Sequence, residues 1–196
     1  DVTSDESVNS AVKQIPTLDV VINNAGYGYG GPVEAFSSEE ILQQLDLNIV
    51  GPIRVAKAVL PKLRKQKSGL IIQVSSTAGR AAFPGFGVYH ASKWGLEGVS
   101  EAMRYELAPL GIDVVIVEPG PFSTNFFGNI VQPKDAEIAS AYERLLGQYS
   151  NLIDRQWGVL EWVKVAIVLA PIATIIAVIS NLIQWWFTTG RYFSSP

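Results

Sequence analysis

The chain alternates short, continuous apolar runs with longer segments whose apolar residues recur at helical spacing. The short runs end in Asn, Ser or Gly, which is typical of buried strands that reach a loop. We therefore predict three buried strands, which lie within residues 18–26, 69–76 and 112–120.

The longer segments predict four helices that alternate with these strands. In the second helix, Ser37 or Ser38 can cap the first turn, and Pro52 and Pro61 are expected to bend or end the helix. This alternation predicts an α/β fold in which helices cover both faces of a parallel sheet. The helical segments are residues 3–15, 37–66, 89–110 and 134–150.

Composition excludes several classes of protein. Of the 196 residues, 48% are apolar and 17% are charged, which argues against a disordered chain. The net charge of −3 gives no electrostatic basis for binding nucleic acid, so we expect no such partner. With no cysteine and only one histidine, disulfides and histidine-rich metal sites are excluded, and we predict no metal site.

The composition changes near the C-terminus. Residues 165–187 carry no charge and are long enough to span a bilayer. Pro171 counts against a lipid-facing span, and the alternatives are a buried helix pair or a dimer contact. We therefore divide the chain into residues 1–160 and a hydrophobic segment, residues 161–196, for which membrane contact is one of the alternatives.

The glycine-rich run at residues 26–31 matches the G-x-G-x-x-G pattern of dinucleotide-binding turns. In such turns the third glycine opens a helix whose N-terminus binds pyrophosphate. Here Gly31 is followed by Pro32, and the next helix is predicted only from about Ser37. We interpret the run as a loop beside a substrate pocket rather than as a phosphate-binding loop.

Tyr89 and Lys93 stand four residues apart on a predicted helix, so their side chains share a face. A neighbouring ammonium is expected to lower the pKa of the Tyr89 phenol, giving an acid/base for an alcohol or carbonyl oxygen. Ser76 ends a strand at the carboxyl edge of the sheet, where open α/β sheets bind ligands, and it can donate to the same oxygen. Five phenylalanines in loops around this edge predict an apolar pocket: Phe83, Phe86, Phe122, Phe126 and Phe127.

Six motifs in order resemble those of the short-chain dehydrogenase/reductase family: "DVT", "NNAG", an Asn in the following helix, "VSS", "YHASK" and "PGPFST". The resemblance covers about residues 1–150. It implies a Rossmann-like doubly wound parallel sheet with flanking helices and an NAD(P)-dependent oxidoreductase. Residues 31–40 further resemble members that act on steroids, retinoids and other bulky apolar alcohols or ketones.

The resemblance implies four catalytic residues. Tyr89 would be the general acid/base, and Ser76, rather than its neighbour Ser75, would hold the substrate oxygen. Lys93 would lower the pKa of Tyr89 and bind the nicotinamide ribose, and Asn48 would hold a water that links Lys93 to solvent.

The resemblance also implies how NAD or NADP is bound. The family's glycine-rich phosphate turn has no counterpart in the sequence. We therefore expect an N-terminally truncated member whose fold lacks the first β-α-β portion and whose choice of cofactor is not readable. Tyr89 and Lys93 would contact the cofactor, as would Asp1 and Val2 at the adenine, Asn23, Ala25 and Gly26 in the cleft, and Pro119, Gly120, Phe122 and Thr124 at the nicotinamide.

Three functions compete at this stage. The first is hydride transfer between NAD(P) and an apolar alcohol or ketone of steroid, retinoid or lipid type. The second is a non-catalytic remnant that acts as a membrane-associated or dimerising module. The third, a serine hydrolase, requires His90 to pair with Ser76 or Ser92, whereas we expect His90 to be incidental. A complete fold is expected to form a homo-oligomer, in the cytoplasm or attached to a membrane through residues 165–187.

Overall fold

The structure, a computed structural model, describes residues 1–120 and 126–148. Backbone contacts group Asp1–Leu146 into one compact unit and assign Gly147–Pro196 to a second unit. The predicted boundary at residue 160, the hydrophobic segment, Phe122 and Thr124 all lie outside the described residues. Within those residues, none of the helices has the length and apolar character of a membrane span.

The sheet of the described part has three parallel strands in the order β1–β2–β3. Its register pairs Val21 with Ile71 and Ile71 with Val114. All three predicted strands are confirmed, with shorter bounds because the polar end of each run leaves the sheet for a loop. The strands are β1 (Val20–Asn23), β2 (Gly69–Val74) and β3 (Ile112–Val117).

All four predicted helical segments contain helices. Ser4 caps the first, and Ser37 caps the second through a capping box with Glu40, because each residue's side chain hydrogen-bonds to the other's backbone N–H. The helices are α1 (Asp5–Lys13), α2 (Ser38–Leu45), α3 (Gly51–Gln66), α4 (Gly87–Leu107) and α5 (Ala136–Ala141).

One turn of π-helix (Asp46–Val50), called here the π-turn, joins α2 to α3. Pro52 lies at the start of α3, where its missing N–H costs little, and Pro61 lies inside α3 without ending it. The break in the long helical segment is therefore the π-turn and not either proline. Single π-turns within helices often mark functional sites because the extra residue redirects a side chain.

The helices pack on one face of the described sheet. Both crossovers move the same way across the sheet, and right-handed parallel crossovers in one direction place their helices on the same face. There α3 and the end of α4 bury Val21, Ile71 and Val114, while Val20 and Ile22 on the opposite face are exposed. The described residues thus supply one of the two helix layers of a doubly wound fold.

Candidate active site

The loops that follow β2 and β3 are joined at the carboxyl edge of the sheet. The Ser75 N–H donates to the carbonyl oxygen of Val117 at 2.8 Å, and the Thr77 N–H donates to that of Pro119 at 3.0 Å. Ser76 caps a short 3-10 turn by accepting from the Ala78 N–H at 3.1 Å. This fixes the Ser76 hydroxyl at the sheet edge predicted to carry the chemistry.

The structure brings Ser76, Tyr89 and Lys93 together at this edge. Tyr89 lies in the first turn of α4, with its phenol close enough to the Ser76 side chain for Ser76 to lower the phenol's pKa. The Lys93 ammonium lies 5.8 Å from the centroid of the Tyr89 ring and donates to the carbonyl oxygen of Val74 at 2.8 Å. Both Tyr89 and Lys93 are buried, so their interaction is poorly screened by water.

The pKa of the Tyr89 phenol moves in the direction opposite to the prediction. Burial raises it, and the Ser76 side chain opposes this only in part. Burial also lowers the pKa of Lys93 to about 8, against the opposing effect of Glu97. The sequence cannot reveal this because desolvation depends on the packing around both groups.

Asn48 lies in the π-turn and is buried. Its amide donates to the carbonyl oxygen of Tyr27 and to the hydroxyl of Ser92, both at 2.9 Å, and its oxygen accepts from the Tyr27 N–H at 3.3 Å. Both amide hydrogens are therefore used in fixing the loop after β1 to α4. The structure gives Asn48 this anchoring role, and the predicted contact with a water molecule stays a prediction.

Gln44 supports the same loop and was not singled out from the sequence. One turn before Asn48, it donates to the Tyr27 carbonyl oxygen at 3.3 Å and accepts from the Tyr29 N–H at 3.0 Å. The sequence could have indicated Gln44 through its i, i+4 spacing from Asn48, because this spacing places both amides on one face of a helix. Together they hold the glycine-rich loop against the site.

We expect Asn48→Ala to lower the free energy of unfolding by about 1 kcal/mol, because the backbone groups of Tyr27 lose their partner. Urea unfolding of both proteins measures the difference. Asn9→Ala, at an exposed position of α1, is the control. An unchanged urea midpoint for Asn48→Ala would show that the loop does not depend on this anchor.

His90 is buried, and backbone groups engage both of its ring nitrogens. Nε2 lies 3.0 Å from the Phe83 N–H, which donates to it, so Nδ1 carries the proton and donates to the Ala78 carbonyl oxygen at 2.8 Å. Ser92 donates to the Tyr89 carbonyl oxygen at 2.7 Å instead of to a histidine. This geometry removes the serine hydrolase hypothesis and makes His90 an anchor of the loop that follows Ser76.

Aromatic rings surround Tyr89. The Tyr89 ring centroid lies 5.4 Å from that of Phe126 and 6.4 Å from that of Phe86, which is 5.4 Å from Phe83. A Cβ atom built on Gly28 would come within 3.3 Å of the Tyr89 ring. The glycine-rich loop therefore lies against the site, as predicted, and Gly28 leaves room for Tyr89.

The residues around Lys93 fit the nicotinamide-ribose part of a dinucleotide. An ammonium has three N–H donors, and among the described residues only the Val74 carbonyl oxygen accepts one of them. A Cβ atom built on exposed Gly26 would lie 3.2 Å from Oδ1 of Asn48 and 3.9 Å from Nζ of Lys93. Glycine at this position thus lets a ligand approach both groups, and the free ammonium donors suit ribose hydroxyls.

The other residues predicted to contact the cofactor differ in their burial and in their contacts. Asn23 is buried and donates to Oε1 of Gln73 at 3.0 Å, which makes its side chain part of the sheet's support. Val2 packs against Gly51 at the start of α3. Asp1 and Ala25 are exposed, and Pro119 and Gly120 are half-buried in the loop after β3.

Several solved structures share the fold of this chain. A short-chain dehydrogenase from Streptomyces avermitilis has a TM-score of 0.69 and 35% identity, covering 79% of this chain and 58% of its own. An NAD⁺-bound xylitol dehydrogenase has a TM-score of 0.61 and 33% identity, covering 65% of this chain and 51% of its own. A gluconate 5-dehydrogenase from Burkholderia cenocepacia, in complex with NADP and tartrate, has a TM-score of 0.62 and 27% identity. The match covers 64% of this chain and 51% of the dehydrogenase.

Curated relatives agree with the structural similarity. A 3-ketodihydrosphingosine reductase of Bacteroides thetaiotaomicron is 45% identical over 133 residues, which is 66% of this chain and 49% of the relative. Human retinol dehydrogenase 8 is 39% identical over 154 residues, 78% and 50% of the two chains. The chain thus spans about half the length of these relatives. The model of the family described as "short chain dehydrogenase" matches residues 1–135. The chain belongs to the short-chain dehydrogenase family.

Proposed function

We propose that this protein is an NAD(P)-dependent oxidoreductase in which Tyr89 exchanges a proton with the oxygen of an apolar secondary alcohol or ketone. The observation that carries the proposal is the meeting of Ser76, Tyr89 and Lys93 at the carboxyl edge of the sheet. A bound nicotinamide would supply or accept the hydride. The chain's own residues would hold the oxygen and move the proton.

Each of the three residues has a distinct task. The raised pKa of Tyr89 keeps its proton in place at neutral pH, which is the form that can donate to a carbonyl oxygen during reduction. The Ser76 hydroxyl can rotate to donate to the same oxygen as negative charge develops there. The Lys93 ammonium stabilises the phenolate that remains after transfer and offers donors to the ribose.

The apolar character of the substrate is supported by the rings of Phe83, Phe86 and Phe126 beside Tyr89. The names of the relatives agree with it, since one reduces a 3-ketodihydrosphingosine and another is a retinol dehydrogenase. We place the substrate among lipid-, retinoid- or steroid-like alcohols and ketones on these two grounds.

Cofactor titration tests the proposal. We expect NADH or NADPH to change the tryptophan fluorescence of the chain saturably, and we expect Lys93→Met to weaken this binding about tenfold because the ribose loses a charged donor. Lys57→Met, at an exposed position of α3, is the matched control and should bind as the unaltered chain does. The absence of a saturable change at millimolar cofactor would contradict the proposal and favour a non-catalytic module.

A further inference from the structure

Glu97 is a buried carboxylate that no step of the proposed reaction uses. It lies one turn after Lys93 on α4, on the same face of the helix, and its side chain is 7% exposed. A carboxylate is rarely buried to this extent unless a partner or a function compensates the cost of desolvation. The surroundings of Glu97 therefore require an explanation.

Hydrogen bonding does not explain the burial. Both carboxylate oxygens of Glu97 lie out of solvent, and neither accepts a hydrogen bond from any residue in the described part of the chain. The buried hydroxyl of Ser75 also lacks a partner there. A Cβ atom built on Gly79 would lie 2.9 Å from Oγ of Ser75 and 3.1 Å from Oε1 of Glu97, so these polar groups approach the same point without bonding. Buried polar groups without a hydrogen-bond partner require an explanation.

Arg80 contacts the Glu97 carboxylate from the solvent side, but Arg80 also has another carboxylate partner. Nη2 of Arg80 is 3.2 Å from Oε2 of Glu97, without the alignment of a hydrogen bond. The same guanidinium donates two hydrogen bonds to Oε1 of Glu118, at 3.1 and 2.9 Å. Because Glu118 already pairs with Arg80 at the surface, the pairing gives no reason to bury a second carboxylate.

The remaining neighbour with charge is Lys93. Its ammonium is buried between the Tyr89 ring and the Val74 carbonyl oxygen, with no carboxylate in direct contact within the described residues. Desolvation alone lowers the pKa of Lys93, and the charge of Glu97 acts in the opposite direction. At a buried site such a charge is felt strongly because little water screens it.

We propose that Glu97 is a positioning residue for the proton transfer: its buried carboxylate, held by Arg80, is the counter-charge that keeps the Lys93 ammonium charged behind Tyr89. This inference rests on the proposed function, since it deepens the role of Lys93. The titratable and charged groups that face the pair are Tyr89 on α4, Arg80 after β2 and Glu118 after β3. Glu101, one turn further along α4, contributes only through Arg80.

The test follows the side-chain NMR signal of Lys93 in the chain without cofactor or substrate, assigned by its loss in Lys93→Met. In Glu97→Gln, which keeps the shape of the side chain but removes its charge, we expect the pKa of Lys93 to fall by about half a pH unit or more. Glu101→Gln, at an exposed position of the same helix, should leave it unchanged. A Lys93 titration that is the same in Glu97→Gln and in the unaltered chain would overturn the inference.

A second variant covers the case in which Glu97→Gln does not fold. Arg80→Gln alters an exposed side chain and leaves Glu97 without its competing cation, so the pKa of Lys93 should rise. An unchanged or lower value would overturn the inference. Neither measurement needs turnover, so the two proposals can fail separately. If the chain bound no cofactor, the proposed function would be contradicted. A shift of the Lys93 titration in these variants would still support the electrostatic pairing of Glu97 with Lys93.

Discussion

Tyr89→Phe is expected to reduce the turnover of an apolar ketone or alcohol by about 10²- to 10⁴-fold, the usual contribution of a positioned general acid or base. The substitution removes one hydroxyl and leaves the ring, so the contacts with Phe126 and Phe86 remain. The loss should therefore appear in kcat with little change in KM, since the proton is exchanged in the transition state and the pocket is unaltered. Steady-state kinetics with NADH or NADPH and a hydrophobic ketone measure both constants.

Tyr105→Phe is the matched control, because Tyr105 lies on the same helix and is 72% exposed. It should retain full activity, and urea unfolding should show that both variants are folded. Activity of Tyr89→Phe within about threefold of the unaltered chain would contradict the general acid/base role, since a positioned proton donor contributes far more than this.

Local sequence signals predicted the elements of the fold well. The apolar runs placed all three strands, and Ser37 with Glu40 placed the start of α2 through a capping box that depends only on neighbouring residues. The carboxyl edge could be predicted for the same reason, because parallel strands must end together. That edge gathers Ser76 and the first turn of α4, which carries Tyr89.

Features that depend on packing could not be predicted. The π-turn has no local marker, since Pro52 beside it is equally suited to the start of an ordinary helix. The burial that raises the pKa of Tyr89 depends on tertiary packing, and the ring of Phe126, distant in sequence, lies 5.4 Å from the Tyr89 ring. For the same reason the buried Glu97 resembled an ordinary polar residue of α4. The catalytic assignment of Ser76 itself stays a prediction that kinetics must test.

Lys93→Met is expected to stabilise the fold while it removes a residue of the proposed site. Burial lowers the pKa of Lys93 from 10.5 to about 8, so the folded chain holds this charge less readily than the unfolded chain does. At pH 7 the penalty is about 3 kcal/mol. Loss of the hydrogen bond to the Val74 carbonyl oxygen offsets about 1 kcal/mol. Urea unfolding should therefore find Lys93→Met more stable by about 2 kcal/mol at pH 7.

The pH dependence identifies the cause of this difference. Between pH 8 and 10.5 the unfolded chain binds the Lys93 proton and the folded chain does not, so stability rises with pH in this window. The raised pKa of Tyr89 acts in the opposite sense above pH 10, where the unfolded chain loses the phenol proton first. The unaltered chain should thus gain about 2 kcal/mol between pH 7.5 and 9.5, and Lys93→Met should lack this gain.

Lys57→Met is the control that distinguishes the effect of burying the Lys93 ammonium from the effect of removing any lysine. Lys57 is exposed on α3, so its removal should change neither the stability at pH 7 nor its rise with pH. If Lys93→Met instead lowered stability at pH 7, or showed the same rise between pH 7.5 and 9.5, the cost of the buried ammonium would be refuted. If Lys93→Met alone is more stable than the unaltered chain at pH 7, the site keeps the Lys93 ammonium at a cost in folding stability. This is expected where a charge is retained for chemistry.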